Sequence, residues 1–259
     1  MSLSFEERKK LILRTLERDE KVQVNVLANA LAVSGETIRR DLDKLEKEGL
    51  LKKVYGGAVK AKFSLELPFD QKTTINAQEK RAICKAAASL VEDGDSIFIG
   101  HGTTPLEIVR FLDQKKNVTV ITPSIPVLLL AKETFPGRII FIGGEFERNQ
   151  KFTGGPLADI VLQQLKANKA FIAAGGVSMK DGITDYDLQG SSSSRKMMER
   201  VEEAIILADH TKFGKTTFAH ICPLSDVSMI ITDKKCPEEW KNILAQKEIE
   251  LLIADDESA

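Results

Sequence analysis

The chain has no apolar run approaching the roughly 18–20 residues needed to cross a bilayer; its longest, residues 125–131, is about a third of that. Its first ten residues, MSLSFEERKK, are charged from the start, so no secretory leader is expected. Cysteine is scarce: Cys84, Cys222 and Cys236 stand far apart without a CxxC pair. That spacing argues against a disulfide framework and favours small buried thiols. His101, His210 and His220 are equally scattered, so neither a metal nor a cofactor is expected. Net charge is also nearly absent, at −1, which excludes a uniformly basic nucleic-acid binder. What is present is ordinary globular material, 42% hydrophobic and 29% charged over 259 residues. That length favours two domains, and the expectation is a cytoplasmic protein with no membrane partner.

The near-zero charge is unevenly divided. Residues 1–60 carry 13 Lys/Arg against 10 Asp/Glu, and the remainder is acidic. A small basic head on a larger acidic body suggests a polyanion-binding module joined to something else. The head reads as helical. Ser4 and Glu7 fit a capping box ahead of Leu11, Ile12, Leu13 and Leu16, giving a helix over about 5–18. A second helix is expected over 25–31. A third starts behind Ser34 and runs to about 48, with Gly49 closing it. Residues 50–59 read as two short strands around Gly56 and Gly57.

In the third helix Ile38, Leu42 and Leu45 fall within about 60° of one another and face the core. Arg40 points the opposite way, with Thr37, Arg39 and Lys44 beside it. A short helix, a tight turn and a helix with paired arginines near its start suit major-groove reading, because the arginine fork matches guanine O6 and N7. The hairpin would form a wing, with Lys52, Lys53 and Lys60 available to phosphates. A merely solvated helix face gives the same periodicity.

Beyond residue 60, apolar runs at 96–100, 118–122, 138–142, 169–174, 204–208, 227–232 and 249–253 alternate with helical patterns, among them 104–112, 126–133, 156–165, 194–203 and 237–246. This alternation predicts an α/β domain with a mainly parallel sheet covered on both faces. The expected division is a DNA-binding domain over 1–60, a linker over 61–78, and an effector-sensing and oligomerisation domain over 79–259.

The string Val33-Ser34-Gly35-Glu36-Thr37-Ile38-Arg39-Arg40-Asp41-Leu42, followed by Gly49-Leu50-Leu51 and Tyr55-Gly56-Gly57-Ala58, strongly resembles the DeoR family of bacterial transcriptional regulators. Tyr55 stands where that family usually has histidine. The resemblance continues through Gly102-Thr103-Thr104, Gly143-Gly144 and Asp209-His210-Thr211-Lys212. It implies a winged helix-turn-helix joined to a Rossmann-like sensor similar to ribose-5-phosphate isomerase and glucosamine-6-phosphate deaminase. It further implies a repressor of carbohydrate-metabolism genes, binding double-stranded operator DNA as a homo-oligomer, dimer or tetramer. The expected DNA contacts are Ser34, Thr37, Arg39, Arg40, Lys44, Lys52, Lys53, Tyr55, Gly56 and Gly57.

The stretch Gly100-His101-Gly102-Thr103-Thr104 closes an expected strand and opens a helix, with Thr104, Pro105 and Glu107 suited to N-cap, N1 and N3. Such a turn is either an anion site at a strand's carboxyl end or a well-capped structural turn. With the resemblance, phosphate binding is favoured, and the effector set becomes His101, Gly102, Thr103, Thr104, Ser124, Gly143, Gly144 and Lys212. Gly143 and Gly144 fit a close ligand approach or a strand-ending turn. The stretch 187–196 stands where the family usually has an acidic pair, and its Ser191–Ser194 suit a helix cap or a second anion site. The alternative is a sugar-phosphate isomerase- or deaminase-like enzyme. Gly100, Gln189 and Gly190 weaken it, because none can act as an acid or base, while Asp185, Asp187 and His101 keep it open.

Overall fold

The computed structural model describes residues 3–19, 21–47, 50–59 and 66–255, which fall into two compact units divided between Leu67 and Pro68. The first contains helices α1 (Phe5–Asp19), α2 (Val24–Ala30) and α3 (Gly35–Lys47). Three short strands accompany them, β1 (Lys21–Gln23), β2 (Lys52–Val54) and β3 (Gly57–Val59). The capping box forms as expected: Ser4 N–H donates to Glu7 Oε2 at 2.8 Å, and Glu7 N–H reaches Ser4 Oγ at 3.4 Å. Ile12, Leu16, Leu27, Ile38, Leu42, Leu45, Leu51 and Ala58 form one buried cluster, whereas Leu11 faces outward. Strand β1 is an addition: it lies against β3, which becomes the central strand of a three-stranded antiparallel sheet in the order β1-β3-β2. Gly49 and Lys60 lie outside the described residues.

The second unit opens with α4 (Phe69–Thr73) and α5 (Ala77–Ser89). Both begin within the stretch 61–78 read as a linker. Phe69 is buried, and its N–H donates to Asn149 O at 2.8 Å, which holds α4 to the domain. There follow β4 (Ser96–Ile99), α6 (Thr103–Leu106) with a 3-10 turn over Glu107–Phe111, β5 (Thr119–Thr122), α7 (Ile125–Thr134) and β6 (Arg138–Phe141). Next come β7 (Glu145–Glu147), β8 (Phe152–Gly154), α8 (Gly155–Gln163), β9 (Ala167–Ala173), β10 (Gly176–Ser178) and β11 (Gly182–Asp185). The chain continues through α9 (Leu188–Met198), β12 (Val201–Leu207), β13 (Ala219–Cys222), β14 (Met229–Asp233), α10 (Glu238–Gln246) and β15 (Glu250–Ala254).

All seven apolar runs become strands of one parallel sheet, in the order β15-β14-β12-β9-β4-β5-β6. Its two faces bury separate clusters, one around Phe98, Ile172 and Ile206, the other around Ile97, Phe171 and Ile205. Alternate residues of the same strands thus serve opposite layers. The winding runs outward in both directions from the β4–β9 pair, and the crevice beyond the carboxyl ends of such a pair is where open α/β sheets bind ligands. The three cysteines are buried, as expected. Among the described residues no helix is long and apolar enough to cross a membrane.

The helix expected over 194–203 is displaced. Helix α9 starts at Leu188, capped by Asp187, whose Oδ1 accepts Gly190 N–H at 2.7 Å; residues 201–203 already belong to β12. Ser191–Ser194 are therefore helix interior and not a cap. Ser191, Ser193 and Ser194 are buried, their small side chains letting the helix lie close to its neighbours.

Candidate DNA-reading face and effector site

Helix α3 starts on Ser34, whose hydroxyl accepts Thr37 N–H at 3.1 Å and lies 2.9 Å from Thr37 Oγ1. Ala32, in the turn before it, adopts φ +51°. Arg39 and Arg40 project into solvent, both 3.5 Å from Glu36. Such exposed pairs are worth at most about 1 kcal/mol and exchange readily for phosphate or base contacts. Lys44 stacks its ammonium 4.6 Å from the centre of the Phe5 ring.

The wing turns at Tyr55 and Gly56, with Gly56 at φ +79° and the Tyr55 side chain wholly in solvent. Gly57 is fixed by contact: an added Cβ would lie 1.9 Å from the Val22 carbonyl oxygen. Lys52 is exposed. Lys53 instead braces the wing on α3, its N–H donating to Glu46 Oε1 at 2.7 Å and its ammonium pairing with Asp43. A cleft of about 420 Å³ separates the wing from α3, lined by Arg39, Val24, Asn25, Lys53, Tyr55 and Gly56.

One acidic residue of this helix is not solvated. Asp41 is buried and takes a fork from Arg8, Nε at 2.6 Å and Nη2 at 3.0 Å, while Arg8 Nη1 donates to Leu3 O at 2.5 Å. The hydrogen bond to Asp41 pushes the Arg8 guanidinium above its ordinary range.

In the second unit, loop 100–104 lies at the carboxyl end of β4. Gly102 takes φ +116°, a conformation suited to glycine. The expected cap does not form. Helix α6 has only four residues, Gly102 precedes it without a side-chain cap, and Glu107 instead accepts from Arg110 Nε at 2.9 Å. His101, Thr103 and Thr104 are buried, and the Cys84 thiol donates to Thr104 O at 2.9 Å, tying α5 to the loop. His101 Nε2 lies 3.1 Å from Asp185 Oδ2, and its ring stacks on Phe152 with centroids 4.3 Å apart. Burial alone would raise the Asp185 carboxyl, but His101, through hydrogen bond and charge, holds it below the usual range.

Lys212 closes a turn capped by Asp209, whose Oδ1 accepts Thr211 N–H at 2.9 Å and an N–H of Asn76 Nδ2 at 3.2 Å. His210 Nδ1 lies 3.0 Å from Asp233 Oδ1, fastening the turn to β14. The charge of Lys212 acts on Lys80 of α5, which is only 6% exposed and whose ammonium donates to Lys72 O at 2.6 Å. Burial pulls Lys80 down to about 8 despite Asp209; Lys212 and Lys72 push the same way. Asp209 is also raised by burial, but Lys212, the Thr211 donors and Lys80 outweigh this and keep it ionised.

Lys72 and Lys212 thus both act on Lys80, Lys72 also acts on Asp185, and Lys80 and Lys212 act on Asp209. Lys72 and Lys80 escaped the sequence reading. The available signal was a lysine on the apolar side of α5, in register with Ile83, Cys84 and Ala87. Two other expected residues serve the framework. The Ser124 hydroxyl is fully buried and caps α7, accepting Val127 N–H at 3.4 Å. Gly144, at φ +151°, passes so close to β8 that an added Cβ would lie 2.4 Å from Gly154 O; Gly143 has open space around it.

Comparison with known proteins follows the same division. Residues 8–62 match the family model of the DeoR-like helix-turn-helix domain, and residues 75–234 that of the DeoR C-terminal sensor domain. The HTH-type transcriptional regulator IolR of Bacillus subtilis (strain 168) is 32% identical over 233 residues, 90% of this chain and 93% of that protein. The lactose phosphotransferase system repressor of Staphylococcus aureus (strain NCTC 8325 / PS 47) is 33% identical over 242 residues, 92% and 96% of the two chains. Ribose 5-phosphate isomerase A of Methanocaldococcus jannaschii overlaps 53% of this chain and 55% of its own, at 20% identity and a TM-score of 0.39. That overlap carries no weight for chemistry.

Proposed function

The chain belongs to the DeoR family of transcriptional regulators, and from that premise we propose that it is a cytoplasmic repressor of carbohydrate-metabolism genes controlled by a phosphorylated sugar. The lysine cluster around loop 100–104 carries this reading. Lys72 and Lys212 add their charge to that of Lys80 in an acidic domain, where a dianion is stabilised by charge and backbone donors together. A thermal-shift screen of phosphorylated sugars against their unphosphorylated parents tests it. Stabilisation by the phosphates alone is expected, and equal response to both would overturn the phosphate reading.

Arg39 and Arg40 read bases, Lys52 and Tyr55 approach the duplex from the wing, and Ser34, Thr37, Lys44, Gly56 and Gly57 shape those contacts. Two or four copies pair their heads on half-sites about 10 base pairs apart or a multiple of that. Arg40→Ala should cost about 1–3 kcal/mol of discrimination between operator and random DNA, whereas Lys52→Ala should weaken both alike and flatten the salt dependence by about one unit of slope. Competition binding at several salt concentrations measures both. An Arg40→Ala protein with unaltered discrimination would move base reading elsewhere.

The chain is not an enzyme in this reading. His101 and Asp185 pair with each other in a nearly closed place, with His101 stacked on Phe152. Turnover of a ketose or amino-sugar phosphate by the pure protein would reverse that conclusion.

Effector affinity should also depend on pH. Lys80 loses its proton at about 8 in the free protein, among Lys72, Lys212, Asp209 and Glu107 and beside the Cys84 thiol. A bound dianion favours the ammonium, so binding takes up a proton, and affinity falls as pH rises from 7 through 9. The phosphate itself, with its second pKa near about 6, no longer changes charge there. Titration calorimetry in buffers of different ionisation enthalpy reads the proton count.

A further inference from the structure

The three donors of the Lys80 ammonium are placed where two different acceptors compete for them. One is already engaged: the carbonyl of Lys72, at the carboxyl end of α4, 2.6 Å away. This carbonyl also accepts Ile75 N–H at 3.2 Å, and because carbonyls at a helix end carry partial negative charge, the ammonium adds to the stability of the terminus. The other acceptor is an anion bound beside Lys80, where the charges of Lys212 and Lys72 are also felt.

Helix α4 has few other holds. It is five residues long, below the length at which a helix stands by itself. Phe69 is buried and its N–H is bonded to Asn149 O, but the Asp70–Lys151 pair, at 2.5 Å, is exposed on both sides. Pro68, immediately before α4, is the first residue of the sensor unit, so the connection from the DNA-reading unit enters through this helix.

We propose that Lys80 is the residue through which a bound anion is felt: the anion draws the ammonium away from the Lys72 carbonyl and frees the carboxyl end of α4, the short helix whose other end receives the chain from the DNA-reading unit. This rests on the reading of the lysine cluster as the effector site and adds the positioning residue that couples occupancy to the rest of the chain. A phosphate dianion outcompetes a neutral carbonyl for an ammonium because its hydrogen bonds are charge-assisted on both partners. Lys212, whose ammonium is not spent on α4, supplies affinity without the coupling. Asn76, bonded to Asp209, keeps the start of α5 in place while α4 loosens.

Hydrogen exchange on the full-length chain, with inorganic phosphate as the probe and calorimetry to measure its binding, tests this. In the unaltered protein, saturating phosphate should speed exchange across residues 68–75 by roughly tenfold or more, the factor carried by one hydrogen bond to a charged group. Lys80→Met should show the fast exchange without phosphate and no further response. Lys80→Gln, which keeps a donor for the Lys72 carbonyl without the charge, should stay slow with or without phosphate. Lys212→Met should bind phosphate more weakly yet show the full change at saturation. Phosphate binding with unchanged exchange at 68–75, or a wild-type response in Lys80→Gln, would overturn the coupling and leave the site reading standing. Failure of the unaltered protein to bind phosphate would overturn both.

Discussion

Replacing Asp41 with alanine is expected to melt the DNA-reading unit while leaving the sensor folded. The substitution removes the acceptor of two Arg8 hydrogen bonds and leaves a guanidinium whose side chain is only 11% exposed facing an apolar methyl. Breaking a mostly buried pair from one side costs about 2–4 kcal/mol. A unit of some 60 residues has little more than that to lose. Scanning calorimetry should show the lower transition moving down or vanishing and the upper one unmoved, with operator binding lost in parallel. Asp43→Ala is the control, since Asp43 itself is half exposed and Lys53 only partly buried, and the change should stay within about 1 kcal/mol. An Asp41→Ala protein with both transitions unchanged would show that the pair contributes nothing to holding α1 on α3.

The second large effect is expected at Gly190. An alanine there would set its Cβ 2.7 Å from His101 Cε1 and Nε2, a separation that real structures do not sustain. Either the imidazole leaves or the start of α9 shifts, and both separate His101 from Asp185. The carboxylate is then left buried without its imidazole, a loss of about 2–3 kcal/mol. For a domain of this size that is about 5–10 °C in the sensor's melting temperature. Gly190→Ala combined with His101→Ala restores the room, so the pair of changes should cost clearly less than their sum. Gly143→Ala meets nothing within 4 Å and should be near neutral. An additive double variant, or a Gly190→Ala protein with unaltered melting and phosphate response, would mean that the ring and the helix start are not in firm contact.

These two residues also mark what could be read beforehand. The seven strands of the large sheet were legible because strands buried on both faces are continuous apolar runs, and such runs survive any uncertainty about their ends. The recognition face was legible because Ile38, Leu42 and Leu45 fix its azimuth, which sends Arg40 outward without further assumption. Strands β7, β8, β10, β11 and β13 were not, being three or four residues long and interspersed with glycine and polar residues. Asp41 was hidden because charge on a helix surface is ordinarily solvated; only the long-range partner Arg8 reverses that expectation. The serines misled for a related reason. Hydroxyls suit caps, but here Asp187 takes that place and the serines serve through their small size. His101 was found as a loop residue, while its neighbours Phe152 and Asp185 come from distant strands that local spacing does not connect.

The order of the parallel sheet has a further consequence for how the chain comes to be folded. Strand β4 pairs on one side with β5, about 20 residues later, but on the other with β9, whose first residue is Ala167. The DNA-reading unit can therefore close as soon as its own strands have left the ribosome, whereas the sensor's middle stays open until β9 follows. Until then β4 presents an unpaired apolar edge, Ile97–Phe98–Ile99, of the kind that invites pairing with another chain. Nascent chains stalled between residues 125 and 165 should thus carry a finished head and a sticky half-sheet, and they are where this protein is most exposed to aggregation during its synthesis.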